Sequence, residues 1–188
     1  MDASDPSDLI AAAGLYRETA WKLLSDQGRL HVETLIASTA RMAGSLLYRS
    51  FGFDPALTPG TAVLSDQANQ QGPQLMEAML ATLRQMGHDV GESSLDRAFL
   101  TTEVSQLDFL AAHERLAPFF LKIAELKALD LPRAAEAAAI ATGLLVHDGR
   151  EVLPVERGAA IAVAGFVEGS KTAPPPDDPS LSVRERGT

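Results

Sequence analysis

The chain has 188 residues, of which 46% are hydrophobic and 22% charged, and it contains no cysteine. This length and balance predict one folded domain with a substantial core and exclude a wholly disordered chain. The net charge of -9 disfavours binding to nucleic acid or to an anionic membrane, since both partners present negative phosphate groups. The absence of cysteine excludes disulfides, thiol nucleophiles and thiolate metal ligands.

The apolar residues are mostly alanine and leucine, whereas aromatic residues make up only 5% of the chain. Alanine and leucine are strong helix formers, and β-branched residues are too sparse for a large sheet. We therefore predict an all-α fold, a bundle of six to eight helices. The N-terminus lacks the pattern of a signal peptide, and no apolar run approaches the roughly 20 residues that cross a bilayer. These features predict a cytoplasmic protein without a membrane partner.

Caps, glycines and prolines divide the first half of the chain into predicted helices. The first follows Asp5-Pro6-Ser7 and runs to about residue 27, and the second covers about 29–51. Thr58-Pro59 predicts the start of a third helix after a loop. Gly72-Pro73 is expected to break it into a short helix and a second helix over 73–86.

The second half predicts at least three further helices. A serine at 93 or 94 with Asp96 predicts a helix start, and an amphipathic pattern covers about 102–129, with Pro118 marking a kink or a boundary. Asp130-Leu131-Pro132 begins an alanine-rich helix that ends near residue 149. Residues 154–168 predict a last helix, with a hairpin over 151–167 as the alternative.

The composition changes at residue 170, which divides a single helical domain over 1–169 from a tail over 170–188. Residues 173–179 contain four prolines and cannot be helical, so an extended or disordered tail is predicted. Such a tail is either solvated or lies as an arm on a partner subunit.

A single offset aligns residues 8–71 with residues 103–169. Three groups of matched positions carry the alignment: Leu9, Ala13, Arg17, Trp21 and Leu23 with Leu107, Ala111, Arg115, Phe119 and Leu121; Ala37, Ala40, Met42, Ala43, Leu46 and Leu47 with Ala135, Ala138, Ile140, Ala141, Leu144 and Leu145; Gly60, Ala62 and Val63 with Gly158, Ala160 and Ile161. One interpretation is an internal duplication, two three-helix units about a pseudo-twofold axis. The other is chance similarity between helices rich in alanine and leucine.

The four histidines form no metal-binding pattern. Helical ligand pairs need a spacing of three or four residues, and the positions so spaced from His31 and His113 hold no second ligand. His88 and His147 fall at predicted helix ends, where a positive charge is favourable. Nucleophile and phosphate-binding motifs are missing as well. We therefore predict no catalytic residue, no metal site and no cofactor.

Two polar patterns remain as candidates for a site. Spacings of three and four place five residues of the second helix on one face: His31, Thr34, Ser38, Arg41 and Ser45. This polar stripe either is solvated or lines a cavity in which Arg41 holds an anionic group. The amide-rich run over 65–71 is expected to be exposed, with Gln67, Gln70 and Gln74 on one surface.

The alanine-rich helix bears on assembly. Residues 134–146 are apolar almost all round, and small residues at Ala135, Ala138, Ala139, Thr142 and Gly143 permit close approach of another backbone. Such a helix is buried either at the centre of the monomer or across a homodimer interface. The favoured function is non-catalytic: self-assembly as a dimer or binding to another protein. The alternative is a small-molecule-binding protein or enzyme with a pocket between the helical halves, using Arg41 and His31.

Overall fold

A computed structural model describes residues 6–25, 31–53 and 57–176. Within them lie six α-helices: α1 (Pro6–Leu24), α2 (Val32–Ser50), α3 (Asp66–Gln85), α4 (Phe109–Leu126), α5 (Leu131–Asp148) and α6 (Val155–Ser170). Single 3-10 turns occupy Glu92–Ser94, Arg97–Phe99 and Gly149–Glu151. These residues contain no β-strand, so the all-α prediction is confirmed, and no helix among them is long and apolar enough to cross a membrane.

Helices α2 and α5 form the centre of the bundle. They pack against each other, α2 also packs against α4 and α6, and α5 also packs against α1 and α3. Each outer helix thus lies mainly on the central helix of the other half. Exchanging α1, α2 and α3 for α4, α5 and α6 leaves these main neighbour relations unchanged. The third aligned group nevertheless fails, because Gly60, Ala62 and Val63 precede α3, whereas Gly158, Ala160 and Ile161 lie within α6.

The alanine-rich helix α5 is buried inside the single chain. Its alanines at 134, 135, 137, 138, 139 and 141 have no exposed surface, and Thr142 is equally buried. Close packing with α3 explains Gly143, because a Cβ there would lie 3.0 Å from the Met79 carbonyl oxygen. Burial at the centre of the monomer, one of the two alternatives, therefore accounts for this helix, and it no longer argues for a dimer interface.

Helices α2 and α6 approach each other through glycines. A Cβ on Gly44 would lie 2.5 Å from the Phe166 carbonyl oxygen and 2.6 Å from the Ser170 amide nitrogen. A Cβ on Gly165 would lie 2.7 Å from the Ala40 Cβ, and one on Gly169 would overlap the Arg41 carbonyl oxygen. Distances of this kind leave no space for a methyl group, so the two backbones are in direct contact.

Three predicted helix boundaries are wrong. Thr58-Pro59 does not begin a helix; α3 begins at Asp66, and Ser65 caps it by accepting a hydrogen bond from the Ala68 amide. Gly72-Pro73 does not break α3; because Gly72 has no Cβ, one of the clashes that disfavour a helical residue before proline is absent. Of the two alternatives at Pro118, the boundary is wrong, because α4 continues through it; the kink, which the loss of a hydrogen bond and the clash of the ring with the preceding turn would favour, stays a prediction.

The helix predicted from about residue 102 begins only at Phe109. Asp108 caps α4 by accepting a hydrogen bond from the Ala111 amide, and the restart expected at 93–96 consists of 3-10 turns. The Asp130 cap and the end near Gly149 are confirmed, as is a last helix in preference to a hairpin. The predicted end of the first helix near 27, and residue 29 at the start of the second, lie outside the described residues; within them α1 ends at Leu24 and α2 begins at Val32.

The described part of the tail packs on the helical body. We call Lys171–Pro176 the C-terminal arm. The amides of Gly60 and Val63 donate to the carbonyls of Ala173 and Lys171, and the Ala173 amide donates to the Thr61 carbonyl. Ala173 is buried. A solvated tail is therefore wrong for residues 171–175, which are buried or half-buried, whereas Pro176 is exposed. The rest of the predicted tail, 177–188, lies outside the described residues.

Candidate functional site

The polar stripe of α2 faces into the protein. Thr34, Ser38, Arg41 and Ser45 are buried and His31 is half-buried, so the solvated interpretation is wrong. The stripe lies against residues 105–113, at the start of α4, and against the end of α6. We call this contact the polar seam, comprising the five stripe residues and their hydrogen-bond partners. Three separate groups of hydrogen bonds make it up.

The first group joins the start of α2 to the segment before α4. His31 caps the helix, its Nδ1 accepting from the Thr34 amide and lying 2.8 Å from the Thr34 hydroxyl oxygen. The Thr34 hydroxyl also accepts from the Gln106 amide at 2.8 Å. His31 and Thr34 therefore have structural partners from the chain itself.

The second group surrounds the buried guanidinium of Arg41. Its Nε donates to Glu168 Oε2 at 2.7 Å, and its Nη2 donates to Oε1 at 3.3 Å. Its Nη1 donates to the Leu107 carbonyl at 2.6 Å and to the Ser105 hydroxyl at 3.3 Å. The anionic group that Arg41 holds is thus a carboxylate of α6. Through these hydrogen bonds Arg41 joins α2 to α6 and to the segment that precedes α4.

The third group is a serine and histidine pair beside an arginine. Ser45 Oγ lies 3.2 Å from His113 Nε2, and Arg49 Nη2 lies 3.5 Å from the same nitrogen. Burial and, second, the positive charge of Arg49 lower the pKa of His113 to about 4. A catalytic serine and its histidine base would lie at this distance. The histidine must also be able to accept a proton near neutral pH, and a substrate must be able to reach the serine. Ser45 and His113 are both buried, so the geometry favours a structural hydrogen bond.

Ser38 is the remaining stripe residue. It is fully buried, and its hydroxyl has no hydrogen-bond partner within the part of the chain that the structure describes. Two surface cavities, described below, are not lined by any member of the polar stripe. The structure therefore brings the five predicted residues together on one inward-facing side of α2, and neither of these two cavities is formed around them.

The histidines at the helix ends meet in space. His88 Nε2 lies 2.8 Å from His147 Nδ1, and burial followed by the charge of Arg150 lowers the pKa of His147. The sequence placed each residue correctly near a helix end, but it did not predict their contact. Among residues 6–25, 31–53 and 57–176, no three histidine, aspartate or glutamate side chains are grouped so that they could hold a metal ion.

The two cavities lie elsewhere on the surface. The first, which we call the α3/α6 groove, has a volume of about 250 Å³ and is lined chiefly by apolar residues: Ala68, Gly72, Pro73, Met76, Val163, Phe166 and Val167. The second, the arm cavity, has a volume of about 230 Å³ and lies between the end of α2, helices α4 and α5, and the C-terminal arm. The predicted exposure of Gln67, Gln70 and Gln74 is confirmed beside the first.

Glu168, His113 and Arg49 were missed as members of the polar seam. One local feature of Glu168 indicates a specific partner: it is an acidic residue within the otherwise apolar second half of α6. Comparison with models of protein families, with curated proteins and with solved structures finds no match to this chain. The function is therefore inferred from the geometry of the protein's own surface.

The buried His113 predicts a loss of stability in mild acid. Its pKa is lowered in the folded state from 6.5 to about 4, so below pH 6.5 the unfolded chain binds a proton that the folded chain does not. Stability therefore falls as the pH drops, by about 2 kcal/mol from this group between pH 7.5 and pH 5. Urea unfolding of the wild type and of His113→Gln at both pH values measures this contribution. Equal pH dependence in the two proteins would contradict it.

Proposed function

We propose that the protein functions by associating with a second copy of itself through the α3/α6 groove. The observation that carries the proposal is the exposed surface of α3 beside this groove, which is uncharged over residues 67–76; Lys171 contributes a charged side chain to the groove lining. Residues 67–76 of α3 contain no charged side chain, although 22% of the whole chain is charged. Centres of protein interfaces are depleted of charged residues and enriched in aromatic residues and methionine, and Met76 and Phe166 line this groove.

Projecting apolar side chains accompany the groove on the same surface. Val167 lines it and is 50% exposed. Leu64 is 87% exposed and follows Val63, whose amide donates to the carbonyl of Lys171, another lining residue. A surface that has both a recess and a projecting leucine can fit a copy of itself about a twofold axis. This argues for a second copy as the partner.

Electrostatics favour the same surface for self-association. Two copies of charge -9 repel each other, and repulsion is strongest where charged faces meet. The uncharged stretch 67–76 of α3 lets the copies approach with less repulsion than a face that carries acidic side chains. We therefore place the dimer contact at α3 and α6.

The internal duplication remains part of this proposal. It is supported by the neighbour relations, in which α1 packs on α5 as α4 packs on α2, and α3 packs on α5 as α6 packs on α2. Under that relation α3 and α6 are equivalent helices, and they contact each other. The groove between them would then lie beside the pseudo-twofold axis.

The alternative, a small-molecule site or enzyme that uses Arg41 and His31, receives less support. Both side chains are engaged with the chain itself, Arg41 with Glu168 and His31 with Thr34. A ligand at this position would have to displace a carboxylate and open the bundle. We therefore do not propose a site at the polar seam.

Leu64→Glu tests the proposed dimer. Sedimentation equilibrium of the wild type should show a dimer at high protein concentration, and the variant should remain monomeric because the carboxylate is placed in the contact. Leu126→Glu is the matched control, since Leu126 is 68% exposed on α4, away from the groove. A monomeric wild type, or equal effects of the two variants, would refute the proposed contact.

A further inference from the structure

Two histidines from different parts of the chain face each other in line. His88 follows α3, His147 lies in the last turn of α5, and both are half-buried. His88 Nε2 lies 2.8 Å from His147 Nδ1, and the ring centroids are 5.1 Å apart. The centroid distance is the N–N distance extended by a ring radius on each side, so the two nitrogens point directly at each other. This is the geometry of an N–H···N hydrogen bond.

The bond between the two rings requires one nitrogen that carries a proton and one that does not. A neutral imidazole has one donor and one acceptor nitrogen, whereas both nitrogens of a protonated imidazole are donors. The bond therefore persists when the pair is neutral or when one ring is charged, and one charge is favourable at the C-terminal end of a helix. When both rings are charged, two N–H groups and two positive charges face each other, so attraction becomes repulsion.

A further positive charge beside His147 makes the second protonation more costly. Arg150 Nη1 donates to the His147 carbonyl at 2.8 Å, and its Nε lies 3.6 Å from the exposed carboxylate of Glu151. Asp148 of α5 accepts from Nε and Nη2 of Arg17 on α1, so its negative charge is already paired. Burial, then Arg150 and the facing imidazole lower the pKa of His147, whereas Asp148 raises it.

The histidine bond fixes the chain where it leaves α3. Gly87 follows the helix with a positive φ of 87°, and the His88 amide donates to the Leu83 carbonyl at 3.0 Å. Val90, two residues later, is buried. Farther along, the Asp96 amide donates to a carbonyl of α6. The segment between the end of α3 and Asp96 is therefore held at both ends, and the imidazole pair forms one of these attachments.

We propose that the bond between His88 and His147 is an acid-sensitive latch, which holds the chain after α3 against the end of α5 and opens when both imidazoles are protonated. Arg84 and Asp89, the charged residues nearest to His88 in the chain, are exposed and opposite in sign, so their effects on the pair oppose each other. Opening would release the segment from the end of α3 to Asp96. The inference does not depend on self-association.

The direction of the pH effect follows from the number of protons that each form binds. Below pH 6.5, the ordinary pKa of histidine, the separated imidazoles bind two protons, whereas the facing pair binds at most one. The ratio of the open to the latched form therefore rises as the pH falls, by up to about tenfold for each pH unit. The latch is closed at neutral pH and weakens in mild acid.

Amide hydrogen exchange of the full chain tests the latch, with each rate divided by the chemical exchange rate at the same pH. The His88 amide should lose protection about tenfold between pH 7.5 and pH 5. The Leu129 amide is the matched control, because it closes α4 through an equivalent bond, to the Ala124 carbonyl at 2.9 Å, and leucine has no titratable group. Its protection should stay unchanged, since local opening there binds no additional proton.

Two histidine variants separate the pair from a general effect of acid. In His147→Gln the pH-dependent loss of protection at His88 should disappear, because only one of the two facing side chains can be charged. His31→Asn is the matched control. It replaces another half-buried histidine with a residue that can also cap α2, and the loss at His88 should remain about tenfold.

Nitrogen-15 NMR of the imidazoles gives a readout that needs no variant. The two rings of the wild type should titrate in two steps separated by about one pH unit or more, because the first proton disfavours the second. Independent titration of both rings at the ordinary histidine pKa would overturn the latch. So would an equal loss of protection at Leu129, or a loss at His88 that persists in His147→Gln.

Discussion

Gly169→Ala should destabilise the protein by about 3 kcal/mol, although alanine is the better helix former. The new Cβ would overlap the carbonyl oxygen of Arg41 and approach the Cα of Gly44 to 3.0 Å. Both are backbone atoms, which cannot rotate away as a side-chain end can, so α6 must move off α2. Overpacking of this kind costs about 1–3 kcal/mol and sometimes more. Chemical unfolding in urea, monitored by circular dichroism, measures the change.

Two further glycines make this experiment specific. Gly44→Ala should be similarly harmful, since its Cβ would lie 2.5 Å from the Phe166 carbonyl oxygen. Gly14→Ala in α1 is the matched control, because a Cβ there has no neighbour within 4 Å, and it should stabilise the protein by about 0.5–1 kcal/mol. If Gly169→Ala were also stabilising, the close contact between α2 and α6 would be wrong.

The helical elements were predictable where local chemistry determines them. Asp130 caps α5 through the amide of Arg133, three residues away, and proline follows at the first turn, so this helix start was read correctly. The start of α3 was not predicted correctly. Thr58-Pro59 has the local pattern of a helix start, but it adjoins a segment that pairs with the C-terminal arm. That pairing joins Gly60 to Ala173, and no local pattern in either segment indicates it.

In the polar seam too, the sequence predicts the local spacing of side chains but not their contacts with distant parts of the chain. Helical spacing correctly placed Thr34, Ser38, Arg41 and Ser45 on one face, since periodicity is a local property. The direction of that face depends on what packs against it, and Glu168 is 127 residues from Arg41 along the chain. A polar stripe was therefore interpreted as solvated or ligand-lined, although its partners are other parts of the same chain.

The sequence of α6 contains a local pattern that indicates its close contact with α2. Gly165 and Gly169 are four residues apart and so share one face of α6, opposite small residues of α2. Small residues at this spacing permit close helix approach, so α6 carries the same local signal as α5. The two surface cavities carried no comparable signal, because each is assembled from residues far apart in the chain.

Glu168→Ala should cost about 3 kcal/mol, the second large effect expected in this protein. The Arg41 side chain is 5% exposed, so removing the carboxylate leaves a buried positive charge with only the neutral partners Leu107 and Ser105. Removing one partner of a buried ion pair costs about 3–5 kcal/mol, and the 29% exposure of Glu168 places this pair at the lower end. Glu136→Ala is the control, since its pair with Arg133 is 36–40% exposed and such pairs contribute about 0–1 kcal/mol.

The double variant Arg41→Met, Glu168→Met distinguishes the charge from the packing. Replacing both members by apolar side chains removes the uncompensated charge and should recover most of the stability lost in Glu168→Ala, because a buried ion pair and an apolar replacement are often equivalent. The recovery will be incomplete, since the Leu107 carbonyl loses the donor that Arg41 supplies at 2.6 Å. A double variant less stable than Glu168→Ala would mean that these hydrogen bonds, and not the balance of charge, hold α4 against α2.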